Sequence, residues 1–544
     1  MSDKIIEKIR ESEKKLFVGL AGPGTGKSFT FKTIVESDEY KDKKILILSF
    51  INKLVDDLSE EFKEFGNVEV VTLHSFARQQ LAKKGKNSVD LDQDLDEQIS
   101  EDYFFIKGSK ISYKKRFYED FLTKEEEDFY KERKKFYGRD KNLYSFNSII
   151  YAINRLFKNK SKIPIYDLIL IDEFQDFNKS EYELIKLLNK KSKLVLVGDD
   201  DQSLYYFKEA KPEQIRSLYN HCDSENFSLD YCYRCTEVIV DATNDLIKNA
   251  QEKSLLGNRE NSKKFLYPKK RRDNKNEVSE KYPQIDFLSS VSGNKLIYKL
   301  AETIKEDIGK GEKGRILVLV PHYLKQKVYE GLMKKKFNVV EFKLFSDEKC
   351  KEIKHKILIE TFGILAKRKT DNLALRKILS LYLTNNKIKN LIIKSHKKQK
   401  LIWNCLDQDK RSDIESDIEI FKKVKRGKDE LNKDELKRFS EVFNLKNIIS
   451  KMIKGFEPST KGSMEIEMTT VMSSKGLSAE FVYYVGIDDR NILDRETSKI
   501  NDYSICEFLV GITRAKKKLT LISLQDDNPK ILDFIDKKYI NKIK

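Results

Sequence analysis

Short, continuous apolar runs recur along the chain, and each stops abruptly at a polar or glycine-rich cluster. In the first half they are LFVGL before AGPGTGKS, KILILSF before INK, VEVVTLHSF, DLILIDEFQD and KLVLVGDDDQS. Runs of this kind predict strands of a parallel sheet buried on both faces, and open α/β sheets collect their ligands at the carboxyl ends of such strands. The repeated order, strand and then polar cluster, predicts one nucleotide-binding lobe whose working residues line one sheet edge. Residues 85–150 are charged, aromatic-rich and without strand alternation, which predicts a mostly helical insertion. The pattern resumes near residue 280 with QIDFLSS, RILVLV, FNVVEF, EIEMTTVM, FVYYVGI and KLTLISL, a second α/β lobe. Residues 351–458 interrupt that lobe with Lys-rich helical spacing, as in IETFGILAKR and LALRKILSLYL.

The expected fold class is therefore α/β: two parallel-sheet lobes, each carrying a mostly helical insertion. The first lobe is assigned to 1–84 and 151–262 with its insertion at 85–150; the second to 263–350 and 459–544 with its insertion at 351–458. The run KKFLYPKKRRDNKNE, beginning at Lys263, is expected to be an exposed, solvated linker or loop.

Charge narrows the partners only coarsely. Among 544 residues, 106 Lys and Arg oppose 88 Asp and Glu, a formal charge of +18 that favours a polyanion. Six cysteines and the charged start MSDKIIEKIRESEKK fit a reducing cytoplasm, and no apolar run approaches a membrane span. His221, Cys222, Cys232 and Cys235 are zinc-ligand types at short spacing. With a single CxxC that brackets Tyr233 and Arg234, they are not expected to hold zinc.

The chemistry sits in the clusters. LFVGLAGPGTGKS ends a strand in a phosphate-binding loop: backbone N–H groups around Gly22, Gly24 and Gly26 converge, Pro23 and Thr25 complete the turn, Lys27 reaches the β/γ-phosphates and the Ser28 hydroxyl holds Mg²⁺. Ala21 stands where the strict pattern has Gly. Asp172 and Glu173 follow LILI, where Asp172 would hold Mg²⁺ and Glu173 would orient or activate the attacking water. Gln202, after the next strand, is a candidate reporter on the γ-phosphate. Arg234 and Arg514, far apart in sequence, are candidates for charges supplied to the γ-phosphate. If one comes from the far lobe, ATP closes the cleft and hydrolysis reopens it.

The set AGPGTGKS, SFINK, TLHSF, IDEFQD, VGDDDQSLYYF, YCYR, TTVMSSKGLSAEFV and LVGITRA resembles, in order, the motifs of superfamily 1A DNA helicases of the UvrD/Rep/PcrA group. The resemblance spans both lobes, and the insertions match by position only. It implies RecA-like lobes and an ATP-driven motor moving 3′ to 5′ on single-stranded or tailed duplex DNA. It also implies a hydrolytic set of Lys27, Ser28, Asp172, Glu173, Gln202, Arg234 and Arg514, with Tyr233 stacking on adenine and Gly476 at the nucleotide. Phe50, Asn52, His74 and Phe207 match positions that contact DNA; Tyr205 and Tyr206 are expected to be structural or secondary contacts.

The chain departs from that pattern in places. No Gln precedes the phosphate loop, which leaves adenine selectivity open; Met472 and Ser478 replace His and Glu of the fifth motif; Lys208-Glu209-Ala210 stands where Arg-Gly-Ala is common. The insertions are reduced, Trp403 in the second is expected to be a buried anchor, and the stretch after Arg514 is expected to hold no fused nuclease. A compact motor of this kind fits DNA repair. It fits equally a partnership with a separately encoded nuclease, as in anti-phage systems such as Gabija. The alternative is a DNA- or nucleotide-sensing regulatory ATPase that unwinds little.

Overall fold

The computed structural model describes residues 2–49, 52–85, 88–138, 142–204, 209–210, 213–257, 259–260, 263–269, 275–289, 295–309, 314–335, 337–341, 347–426, 434–435, 437–438, 442, 465–525 and 527–543. The chain divides into two compact units. One comprises residues 1–76, 156–346 and 460–544, the other 77–155 and 347–459.

In chain order the first eight strands are β1 (Leu16–Ala21), β2 (Ile45–Ser49), β3 (Val68–Thr72), β4 (Val89–Leu91), β5 (Asn142–Tyr144), β6 (Leu168–Ile171), β7 (Lys193–Gly198) and β8 (Ser224–Leu229). Six of them form a parallel sheet in the first unit, ordered β3-β2-β6-β7-β1-β8. β2, β6 and β7 consist almost wholly of buried apolar side chains, as strands covered on both faces require. β8 was not among the expected strands. Its sequence, SENFSL, is polar and only partly buried, because it lies on the edge beside β1.

The second lobe contributes β9 (Ile285–Leu288), β10 (Ile316–Leu319), β11 (Asn338–Glu341), β12 (Glu465–Thr469), β13 (Ala479–Val485), β14 (Ala515–Ile522) and β15 (Ile540–Ile543). They form a seven-stranded sheet ordered β11-β12-β10-β13-β14-β9-β15, with every pairing parallel. Both sheets belong to the same unit, and the fold is α/β with two parallel-sheet lobes.

The other unit is mostly helical, with β4 and β5 as a short parallel pair. Its core gathers Tyr113, Phe117, Tyr130, Phe362, Leu375, Ile392 and the lone Trp403, which is 7% exposed and anchors the unit as expected. No helix among the described residues is long and apolar enough to cross a membrane.

Candidate functional site

The phosphate loop joins β1 to the helix Lys27–Glu36. Gly24 and Gly26 have φ values of 68° and 90°, a region that L side chains rarely adopt. Gly24 is also constrained from outside, since a Cβ there would lie 2.3 Å from the Cβ of Arg234. The Tyr233 N–H donates to the Gly24 carbonyl at 2.8 Å, so the loop carrying Tyr233 and Arg234 is tied to the phosphate loop through backbone.

A cavity of about 380 Å³ opens over this loop. Pro23 through Ser28, Asp172, Glu173, Gln202, Tyr233, Arg234, Gly476 and Arg514 line it, so the fold brings together nearly all of the nucleotide-site candidates. Gly22 is the exception: it is not in the lining, and a Cβ there would meet the Phe265 ring at 2.7 Å. Gly476 has φ 86° between β12 and β13.

Asp172 and Glu173 follow β6 directly, and Glu173 adopts φ 51°, a left-handed conformation unusual for a non-glycine residue. Burial, reinforced by the negative charge of Glu173, raises Asp172 above the ordinary carboxylate range. Burial also opposes ionisation of Glu173, but Lys27 and Lys475 overcome it and hold Glu173 below that range. Lys27 Nζ lies 3.6 Å from Glu173 Oε1. The Ser28 hydroxyl and the under-compensated Asp172 carboxylate are hard oxygen donors of the kind Mg²⁺ takes.

Gln202 is held at both ends of its amide. Its Nε2 donates to Asp199 Oδ2 at 2.7 Å, and its Oε1 accepts from Arg514 Nη2 at 3.0 Å. Arg514 is buried and also donates to the carbonyls of Val510 and Leu477. Burial, together with the nearby positive charge of Arg234, lowers it to about 9. Arg234 donates to the Thr513 carbonyl at 3.4 Å. Arg514 comes from the second lobe and Gln202 from the first, so their bond joins the two sheets' loops at the cavity.

Five cationic side chains line the cavity, Lys27, Arg234, Lys275, Arg514 and Lys516, against the carboxylates of Asp172 and Glu173. The excess positive charge suits a polyphosphate rather than a neutral ligand.

Several participants escaped the sequence reading. Lys475, within the quoted SSKG, is buried and donates to Asp176 Oδ2 at 2.5 Å and to the Gln202 carbonyl at 2.8 Å. Its signal in the sequence is its place in SSKG, between Met472 and Ser478. Phe29, Lys275 and Lys516 line the cavity without having been singled out. The run starting at Lys263 requires a correction. Instead of a wholly solvated loop it begins with a buried lysine that pairs with Asp199, with Asp200 at 3.0 Å and with Asp201 at 2.7 Å. Phe265 in the same run is buried, and Lys275 opens a helix beside the cavity. Three adjacent carboxylates explain why a lysine is drawn inward there.

The DNA-contact candidates are less completely placed. Phe50 and Phe207, like Tyr205, Tyr206 and Lys208, lie outside the described residues. Asn52 opens the helix Asn52–Glu61 after β2. His74 follows β3, with Nε2 3.9 Å from Glu181 Oε1. Cys232 and Cys235 are buried in the apolar core, whereas His221 and Cys222 are exposed.

Comparison with known proteins gives a consistent picture. Residues 5–208 match the family described as AAA domain. The chain is 23% identical to a probable DNA helicase II homolog of Mycoplasma capricolum, over 94% of this chain and 83% of the relative. It is 27% identical to the ATP-dependent DNA helicase Rep of Buchnera aphidicola, over 71% of this chain and 68% of the relative. It is 39% identical to the ATP-dependent DNA helicase PcrA of Staphylococcus aureus across a shorter stretch, 17% of this chain and 13% of the relative.

Proposed function

We propose that the chain is a UvrD/Rep/PcrA-like superfamily 1 helicase, a reading supported by its AAA-domain match and by its similarity to DNA helicases, and that it is an ATP-driven motor that moves 3′ to 5′ on single-stranded DNA and opens tailed duplexes. The observation that carries this reading is the Gln202–Arg514 bond at 3.0 Å, which places a cation of one lobe on the γ-phosphate-sensing candidate of the other. A cavity built from both lobes is one whose closure can depend on what fills it.

In this reading the backbone of the phosphate loop and Lys27 hold the β- and γ-phosphates, while Arg234 and Arg514 meet the charge that develops on the γ-phosphoryl group. Glu173, ionised at neutral pH, orients the attacking water and takes its proton; the water oxygen bonds to the γ-phosphorus as the bond to the β–γ bridging oxygen breaks, leaving ADP and phosphate. Ser28 and Asp172 would hold Mg²⁺, which neutralises phosphate charge when bound. Gln202, fixed by Asp199 and Arg514, carries the state of the γ-phosphate to the second lobe. Lys475 supports the same link by joining Asp176 to the Gln202 backbone. The DNA track is assigned to Phe50, Asn52, His74 and Phe207, where aromatic faces stack on any base.

Steady-state hydrolysis with and without single-stranded DNA, run beside Lys27→Ala, tests the reading. Strong stimulation that vanishes in the variant, with unwinding of 3′-tailed but not 5′-tailed duplexes, is expected. Lys27-dependent hydrolysis indifferent to DNA would favour the regulatory ATPase instead. We place the motor in DNA repair or in anti-phage defence beside a separately encoded nuclease, a choice that copurification of a nuclease from the native host would decide.

A further inference from the structure

Phe29 is the most exposed large hydrophobic side chain among the described residues, at 66%, and Tyr233 is 52% exposed. Single exposed aromatics are ordinary. These two line the same cavity, and both are fixed to the phosphate loop. Phe29 follows Ser28 directly, on the first turn of a helix whose buried residues are Thr30, Phe31, Ile34 and Val35. Tyr233 is held by its backbone bond to Gly24.

The side chains of Thr25, Gln202, Lys275 and Lys516 around them are already engaged. The Thr25 hydroxyl donates to the Gly22 carbonyl at 2.9 Å, Gln202 is held by Asp199 and Arg514, Lys275 donates to the carbonyls of Arg234 and Lys516, and Lys516 pairs with Glu480 at 3.0 Å. Residues 1–15, ahead of the loop, contain neither Gln nor Asn. What the described cavity offers a base is two aromatic faces and no uncommitted amide to read its edge.

We propose that Phe29 and Tyr233 form an aromatic clamp that stacks the nucleotide base without reading it, so that the site accepts purine nucleoside triphosphates as a class, GTP about as well as ATP. The proposal rests on the nucleotide-site reading above and deepens it by naming the substrate class. Every base has a π-face, so stacking binds without discriminating; rejecting one purine for the other requires hydrogen bonds to the base edge, which stacking does not supply.

The test is equilibrium displacement of a fluorescent N-methylanthraniloyl-ATP from the full chain by ATP and by GTP. The two dissociation constants are expected to agree within about fivefold, and Phe29→Ala to weaken both by about tenfold, the size of one lost base–ring stack. Phe29→Tyr should restore both. Because Phe29 is exposed, an unchanged melting temperature in Phe29→Ala verifies that folding is intact. A preference for ATP above about fiftyfold, the scale that edge recognition reaches, would overturn the clamp; so would unchanged affinity in Phe29→Ala. Hydrolysis separates this proposal from the motor reading. Binding of both nucleotides in the expected manner with no Lys27-dependent hydrolysis overturns the motor and leaves the clamp, whereas DNA-stimulated hydrolysis with strict ATP binding does the reverse. No displacement by either nucleotide overturns both.

Discussion

In the helical unit the Asp102 carboxylate, fully buried, is met by Arg133, by Arg376 at 3.3 Å and by the Tyr137 hydroxyl at 2.5 Å. Arg376 also reaches Glu101 at 2.6 Å, so two cations face two carboxylates and the charges close on themselves. At the nucleotide cavity five cations face two carboxylates in the lining, and Lys516 among them has a further carboxylate partner, Glu480. Both places bury charge, which costs free energy unless it is paired. The first cluster resolves that cost internally and joins helices of its unit. The second leaves it partly unresolved, and its excess positive charge is what a triphosphate would balance. The sign and completeness of a buried charge set, more than its presence, separate a structural cluster from a functional one.

Removing Arg514 should break the comparison most severely on the functional side. Arg514→Ala is expected to lower kcat by about 10³ or more, the range seen for arginines that act on a transferring phosphoryl group. A loss below about tenfold in steady-state ATPase would place Arg514 outside the reaction. On the structural side, Arg133→Met leaves the buried Asp102 with Arg376 and the Tyr137 hydroxyl alone and should destabilise the helical unit by about 3 kcal/mol. Trp403 is the only tryptophan and sits in that unit's core, so its fluorescence in a denaturant titration reads this unit selectively. An unchanged midpoint would show that the balanced cluster contributes nothing.

A subtler contrast concerns Glu507, on the helix Asp502–Ile512 that leads to Arg514. Burial raises its carboxyl to about 7 from an ordinary 4.5. Between these values the folded protein binds more protons than the unfolded chain, so stability falls as pH rises from about 4.5 through 7. Glu507→Gln removes that loss. It should raise stability at pH 8 by up to about 3 kcal/mol, shrinking towards zero at pH 4, as followed by thermal melting at the two pH values. Equal effects at both would remove titration as the cause. The smallest effect is expected from the exposed pair Lys107–Glu125, 2.8 Å apart on the surface of the helical unit. Lys107→Ala should move the Trp403 midpoint by less than about 0.5 kcal/mol, because water screens what burial does not.

Local features of the sequence carried far into the structure. The apolar runs became β1, β2, β6, β7, β10 and β13, and the clusters after β1, β6 and β7 supplied the phosphate loop, Asp172–Glu173 and Gln202. Arg514 differs, since it precedes β14 rather than following a strand; its neighbours LVGITRA, and not the strand-end rule, revealed it. β8 and β15 were missed because SENFSL and INKI have too little apolar character for edge strands to announce themselves.

The sequence by itself determined the two-lobed α/β order, the phosphate loop and the acidic pair, because turn dihedrals and strand burial depend on residues close together in the chain. Tertiary structure alone decided which charges are buried and with whom. Lys263 lies inside the protein because Asp199, 64 residues away, receives it, and Lys475 because Asp176, 299 residues away, does. A lysine's composition favours solvent, and only carboxylates brought close by the fold can compensate its desolvation. The same holds for Phe29 and Tyr233, whose local patterns say little. Their presence in one cavity follows from the packing of Gly24 against the backbone of Arg234.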